Sequence, residues 1–273
     1  KAMTKHAALF LVVSILLSLS LPASAEGAGC TKKLTIAFFD WQPYHYRDEN
    51  GTPTGLDIEL MRATFGAAGC EFELKVMPWK RTLLAIKFGT IDGSLGASRL
   101  SEREQYAWFS RPYRRETMVM FMRRDELEKS KVMSVADVVS GKHRIGVLLG
   151  SWYGDEFAAL YKADPKLRKH MLQTPEYEVL FTWLVKDRVD VVFNDLFNGL
   201  HILKGMNALD QVAVHPVTLN DDYIHFIFSK LTVPRTTLEA IDEAIAAFQG
   251  TEEYTAILHK YVPPEQLTFM PMQ

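Results

Sequence analysis

Short apolar runs alternate along the chain with amphipathic stretches, and this alternation predicts strand–helix–strand units. Leu34-Thr35-Ile36-Ala37-Phe38-Phe39 is apolar and β-branched, the signature of a buried strand. A polar-aromatic loop (Asp40 to Tyr44) and a turn at Asp48-Glu49-Asn50-Gly51 follow it. From Gly55 the apolar positions Leu56, Leu60, Met61, Thr64 and Phe65 fall on one helical face, and Gly69 is a natural stop. Cys70 leads into a second strand over residues 71–76. Pro78 sits at a plausible first turn of a helix over residues 79–88, and residues 90–95 return as a short strand. Each loop singled out so far follows a strand, which is where open α/β sheets hold ligands.

A second cycle of the same kind begins with a near-continuous apolar strand at residues 117–122, followed by the charged segment 123–131. A capped short helix (134–139), a strand (145–148) and a helix (155–161) come next. Then come a helix at 177–186 and a strand at 188–193 that ends in Asn194-Asp195, with Asp195 opening a helix to residue 204. Residues 211–216 and 223–229 read as strands, and 238–248 and 253–261 as closing amphipathic helices. The order predicts an α/β protein of two lobes, each with an open sheet, joined by crossings near residues 113–118 and 222–226. Lobe 1 is expected to hold residues 26–116 and the return segment 224–273, and lobe 2 residues 117–223.

Residues 1–25 change that picture only by subtraction. Lys1 and Lys5 precede an apolar run to Leu19, and Ala23-Ser24-Ala25 offers a small-residue cleavage site, the three parts of a secretory signal peptide. The run is short for a membrane span. Loss of Lys1 and Lys5 takes the formal charge from −2 to −4, with no basic stripe, which argues against a nucleic-acid partner. An apolar content of 48% supports a substantial core.

Export also bears on Cys30 and Cys70, the two cysteines of the chain. Each precedes a predicted strand, and strand starts in a βαβ unit lie on one sheet edge, so a disulfide is expected in an oxidising compartment. Free buried thiols are the alternative, as is lipidation of Cys30 after Gly27-Ala28-Gly29, a weak lipobox.

The candidate chemistry concentrates in Gly93-Ser94-Leu95-Gly96-Ala97-Ser98 and the following Arg99 to Arg103, running on to Phe109-Ser110-Arg111-Pro112-Tyr113. Read as a Gly-rich turn before a short helix capped by Ser101, it offers free N–H groups, a Ser hydroxyl and the Arg103 guanidinium. Those groups suit a small carboxylate. Gly150-Ser151, after a strand and before a helix, reads as a second anion-binding turn. The eight histidines show no metal-ligand spacing, and no Ser/His/Asp or Cys/His pairing is suggested, so neither a metal nor another cofactor is expected.

From Lys33 to Val262 the chain resembles the bacterial periplasmic solute-binding proteins for polar amino acids, which have the type II periplasmic binding fold. Gly55-Leu56-Asp57-Ile58-Glu59-Leu60 is similar to that family's motif at the first helix. The run from Gly96-Ala97-Ser98 through Glu102-Arg103 to Phe109-Ser110 and Pro112-Tyr113 resembles its main signature. The resemblance implies that Arg103 clamps a ligand carboxylate with Ser98, the Gly96 backbone, Ser151 and Gly150. It implies that Asp195 accepts from the ammonium and that Trp41, Tyr44 and Trp79 wall the cleft. Ser98 stands where members often have Thr, and Trp152 where they often have a smaller residue, which implies a narrower or aromatic pocket. The implied function is capture of an amino acid or related carboxylate in the periplasm by a monomer that delivers it to an inner-membrane ABC permease.

Plainer roles stand beside these. Asp57 is a first-turn helix acid, Asp195 an N-cap, Trp41 and Tyr44 core aromatics, Trp79 a helix start and Arg103 a surface charge. Two other functions remain open: an exported dehydratase-like enzyme with Glu102, His143 or Asp195 as acid–base group, and a sensing module for a separate receptor.

Overall fold

The structure, a computed structural model, describes residues 30–141 and 143–262. The expected signal peptide lies outside them. The chain opens with β1 (Leu34–Phe38), a small hairpin of β2 (Tyr46–Arg47) and β3 (Pro53–Thr54), and α1 (Leu56–Ala67). It continues through β4 (Phe72–Val76), α2 (Trp79–Lys87), β5 (Gly93–Ser98), α3 (Ser101–Glu104) and β6 (Ala107–Phe109). The long strand β7 (Arg114–Arg123) leads to α4 (Arg124–Leu127), α5 (Val135–Ser140), β8 (Ile145–Leu148) and α6 (Asp155–Ala163). Then come β9 (Met171–Thr174), α7 (Tyr177–Val185), β10 (Val191–Asp195) and α8 (Leu196–Gly205). The chain closes with β11 (Val212–Ser229), α9 (Arg235–Phe248) and α10 (Glu252–Tyr261). Among the described residues no helix is long and apolar enough to cross a membrane.

The two-lobed α/β architecture is present, and its sheets join as one, in the order β4-β1-β5-β11-β7-β10-β8-β9. The link is an antiparallel ribbon in which β7 pairs with β11 from Val212↔Arg123 to Ile224↔Arg114. Beyond it β11 pairs with β5 and β6 on one side, while β7 pairs with β10 on the other. The lobe boundaries expected at 116/117 and 223/224 fall inside these two strands. The two crossings are therefore hydrogen-bonded to each other: Glu116 stands opposite Asp222 and Arg115 opposite Tyr223.

Several local expectations change. The strand expected over residues 90–95 runs from Gly93 to Ser98, straight through the glycine-rich segment also read as a turn, because Gly93 and Ser94 pair with Phe228 and Ile227 and Ala97 and Ser98 with His225 and Ile224. Gly93 is needed there, since a Cβ would stand 2.6 Å from the Ile227 carbonyl oxygen. Ser101 is the first helical residue, and the N-cap, Leu100, makes no side-chain bond. The Gly150-Ser151 turn does not open α6, whose N-cap is Gly154. The expected strands at 211–216 and 223–229 are one strand, with irregular register between Val214 and Asn220, where Pro216 lacks an N–H for the ladder. β9 had no signal in the sequence, its residues being half polar.

The core follows the helical and strand patterning. α1 buries Leu56, Ile58, Leu60, Met61 and Phe65, with the Phe65 ring edge-on to Phe226 at 5.2 Å. In the other lobe α7 sets Phe181 edge-on to Phe121 of β7 at 5.1 Å. The Cys30–Cys70 disulfide forms, with Cα atoms 4.7 Å apart, beside the parallel β1–β4 ladder that begins at Leu34↔Phe72. It sits at the amino ends of those strands, away from the loops at their carboxyl ends.

Closing a loop of 40 residues stabilises a fold by about 4 kcal/mol in the chain-entropy picture. A Cys30→Ser, Cys70→Ser double variant is expected to melt several degrees earlier by calorimetry while keeping its ligand affinity within a few-fold. A variant that melts with the parent overturns that structural role.

Candidate functional site

The carboxyl ends of β1, β4, β5 and β8 converge with the first half of β7 on one small cavity. Trp41 from the loop after β1 and Trp79 at the start of α2 form one side. Ser151 and Trp152, from the turn after β8, face them. The free space is about 20 Å³, little more than a water needs. The lobes are drawn together: the Trp79 indole Nε1 donates to the Gly150 carbonyl at 3.1 Å, and Asn198 Nδ2 donates to the Gln42 carbonyl at 2.7 Å. Stacked rings add to the closure, with Tyr177 of α7 at 6.1 Å from Trp41. A ligand the size of an amino acid enters only when the lobes part.

Arg103 is held by α3 at the cavity edge and is only 6% exposed. Its Nη1 donates to the Ser98 carbonyl at 3.0 Å and its Nη2 to the Gly150 carbonyl at 3.3 Å, and the guanidinium lies 5.4 Å from the Trp79 ring centroid. Burial lowers its pKa. Among the described residues it has no ion-pair partner, so a buried cation faces the cavity held only by peptide oxygens.

The other expected site residues divide. Ser98, Gly96, Trp41, Trp79, Ser151 and Trp152 line the cavity, and Gly150 reaches it through its carbonyl bonds. The Gly96 N–H, however, donates to the Tyr113 hydroxyl at 2.9 Å, so it points into the core in this arrangement. Gly96 has φ +71°, and a Cβ would meet Trp41 at 2.7 Å, so glycine here lets the indole approach the strand.

Tyr44 and Asp195 do not line the cavity; they form a tie beneath it. The Tyr44 hydroxyl donates to Asp195 Oδ1 at 2.8 Å, and the same oxygen accepts from Asn198 N at 2.8 Å, capping α8. Asp195 Oδ2 and Trp41 Nε1 are buried without a hydrogen-bond partner among the described residues. Burial pushes the Asp195 carboxyl up to about 6 against the pull of Asn198, Arg114 and Tyr44.

Beneath the cavity a complete ion pair supports these groups. Arg114 at the head of β7 is fully buried and grips Asp57 of α1 with both ends of its fork, at 2.6 and 3.1 Å. Its guanidinium lies 3.7 Å from the Tyr44 ring centroid, and His45 Nδ1 is 3.2 Å from Asp57 Oδ2. Burial alone raises the Asp57 pKa, but the Arg114 charge and the His45 and Arg114 hydrogen bonds hold it at about 2.

Phe39, Glu116, Met118 and Tyr177 also line the cavity, and sequence reasoning singled out none of them. Their available signal was alternation: Arg114, Glu116 and Met118 are every second residue of β7 and so share one sheet face.

Residues 34–264 match the family described as bacterial extracellular solute-binding proteins, family 3. A probable histidine-binding protein of Neisseria gonorrhoeae is 24% identical over 248 residues, covering 89% of this chain and 88% of that protein. Among solved structures, a histidine kinase sensor domain with similarity to periplasmic binding proteins superposes with a TM-score of 0.73 at 20% identity, covering 85% of this chain and 96% of that one. The arginine-, lysine-, histidine-binding protein ArtJ of Geobacillus stearothermophilus superposes with a TM-score of 0.70 at 24% identity, over 87% and 99% of the two chains. These likenesses establish the fold.

Asp57→Asn leaves the Arg114 charge buried without its partner and is expected to destabilise the protein by roughly 3–5 kcal/mol in denaturant unfolding. The parent should lose the contribution of Asp57 only in acid. Its folded pKa of about 2 lies below the unfolded value of 3.8, so this stability is present above 3.8 and declines as pH falls toward 2. A pH-independent difference between parent and variant across that window refutes the assignment.

Proposed function

The chain belongs to family 3 of the bacterial extracellular solute-binding proteins, and from that premise we propose that it captures an amino acid or related carboxylate between its lobes. The family and its curated relatives are binding proteins, not enzymes. The single observation that carries the ligand class is Arg103, a buried guanidinium turned to the cavity with no carboxylate partner among the described residues. A ligand carboxylate would take its fork, with the Ser98 and Ser151 hydroxyls beside it, while the indoles of Trp41, Trp79 and Trp152 exclude water. An amino group would turn toward the acidic side of the cavity, where Asp195 supplies negative charge from below.

Binding follows from the two-lobed build. A solute that touches both lobes favours the closed arrangement, and the β7–β11 ribbon is the element about which 117–223 would move relative to the rest. Export to the periplasm and delivery to an inner-membrane ABC permease complete the proposal, resting on the family and on the signal-like residues 1–25. A second reading, ligand sensing for a separate receptor, is favoured by the sensor-domain likeness. The two differ in which membrane protein recognises the closed form.

Thermal shift of the mature protein against amino acids, amines and organic acids tests the ligand class, since a ligand that binds the folded state raises apparent stability. An amino acid or a carboxylate is expected to raise the melting temperature without being consumed. A response to amines alone sinks the assignment. Arg103→Ala is expected to weaken binding of the responding compound by two to four decades, roughly 3–5 kcal/mol, and Arg103→Lys to restore only part of it. An unchanged dissociation constant in a folded Arg103→Ala protein removes the clamp.

A further inference from the structure

Glu116 is the acid that lines the cavity, yet no reading of the ligand has used it. It is 4% exposed, and its carboxyl has no hydrogen-bond or ion-pair partner among the described residues. The nearby cation that might have neutralised it, Arg114, is taken on both ends of its fork by Asp57. The other, Arg103, sits in the cavity with its own charge unmatched. Asp195 does not substitute for Glu116. It stands opposite Met118 in the β10–β7 ladder, so it leaves the same sheet face as Glu116, but it is fully buried and engaged by Tyr44 and Asn198. The cavity itself therefore presents one cation and one acid to whatever enters it.

We infer that Glu116 reads the positive group of the ligand, and that it binds this group by giving up a proton. The inference rests on the amino-acid reading proposed above and adds to it a named contact and a proton count. The ligand-free pocket keeps Glu116 neutral, because a carboxylate there has little water around it and no partner among the described residues. When an ammonium arrives with its carboxylate on Arg103, the Glu116 carboxyl loses its proton to the buffer and the resulting carboxylate pairs with the ammonium. One proton leaves for each cation bound, and no covalent bond of the ligand changes. Both charges border a cavity of this small size, which points to a cation adjacent to the ligand carboxylate, the α-ammonium of an amino acid.

The surroundings agree. Burial, and then the negative charge of Asp195, raise the Glu116 carboxyl to about 8, against the opposing pull of Arg114 and Arg103. The groups that face it are Arg114 on its own strand, Asp222 opposite it in β11, Asp195 at the end of β10, Asp57 of α1 and Arg103 of α3. Tyr44, Tyr153 and Tyr177 also feel its charge, and all three are pushed above the ordinary tyrosine value by burial. Of these, Asp195 titrates closest to neutrality, at about 6, so a proton released above pH ~7 comes chiefly from Glu116. The sign is fixed: protonated Glu116 holds a cation poorly, so affinity for an ammonium-bearing ligand rises as pH increases toward and through about 8.

Calorimetry on the mature protein tests this with the twenty common L-amino acids as probes, each titrated at pH ~7.5 in phosphate and in Tris, whose ionisation heats differ. The parent is expected to release a substantial fraction of one proton per amino acid bound. Glu116→Gln keeps the shape and removes the titration. It is expected to bind the same amino acid about tenfold or more weakly at pH ~8.5, with affinity flat between pH ~6.5 and ~8.5 and proton release near zero. Asp195→Asn removes one of the causes that raise Glu116, so it is expected to diminish the release without abolishing it, while Glu116→Gln abolishes it, which separates the two acids. The deaminated acid of the same amino acid should bind the parent without proton release. Amino-acid binding with no proton release by the parent, or with undiminished release by Glu116→Gln, overturns the inference and leaves the capture function standing. If no amino acid binds, the amino-acid reading falls and the inference with it. Should Glu116→Gln fail to fold, the parent's proton count and the Asp195→Asn control decide by themselves.

Discussion

A charge taken out of water must meet its counter-charge, and the interior of this protein is arranged around where that rule is met and where it is left open. It is met between Asp57 and Arg114, where a bidentate fork, the His45 ring and the face of Tyr44 enclose a neutral cluster. That pair fastens α1 to the head of β7, and so to the ribbon shared by both lobes. It is left open just above, at Arg103 and Glu116, which border the same cavity. A structural pair would have neutralised either one. Neither has an ion-pair partner among the described residues, and the proposed ligand, carrying both signs, would supply one to each.

The ribbon explains how one small cavity draws on elements distant in the chain. β7 contributes Glu116 and Met118 from one face, while β5 and α3 supply Ser98 and Arg103 through their own link to β11. The turn after β8 reaches the cavity from the other lobe. Because β7 and β11 are paired to each other across both lobes, the hinge movement proposed above would bend one two-stranded unit instead of two independent linkers. Such a unit would restrict the directions of motion.

Much of this was legible in the order of residues. The loops after the strands marked the sheet edge where a ligand is held, and the family resemblance named Trp41, Trp79, Ser98, Ser151 and Trp152 there; all five line the cavity. The cysteines before two adjacent parallel strands placed the disulfide. Tyr44 and Asp195 read as cleft residues, but they join each other below the cavity: a hydroxyl and a carboxylate from different lobes find one another only in three dimensions. Residues 93–98 read partly as the end of a strand and partly as a turn, because glycine and serine are frequent in turns. Their place between β1 and β11 makes small residues necessary in a strand, where a neighbouring carbonyl approaches too closely for a Cβ. Glu116 escaped notice for a related reason. Next to Arg114 and Arg115 it resembles a solvated charge run, and only the pairing of β7 on both sides turns that run inward.

The carbonyl of Gly150 leads to a further consequence. In the closed arrangement this one oxygen, from the second lobe, accepts from both Arg103 and Trp79 of the first. A peptide oxygen is a neutral acceptor standing where a carboxylate is the stronger match for a guanidinium. In the proposed capture, ligand uptake would be an exchange: a carboxylate would displace Gly150 from the guanidinium, and the strength of the new bond would count only as its excess over the old one. Such competition would sharpen selectivity. A ligand with a weak acceptor would gain nothing over the protein's own backbone, while a carboxylate would gain the difference between a charged and an uncharged partner.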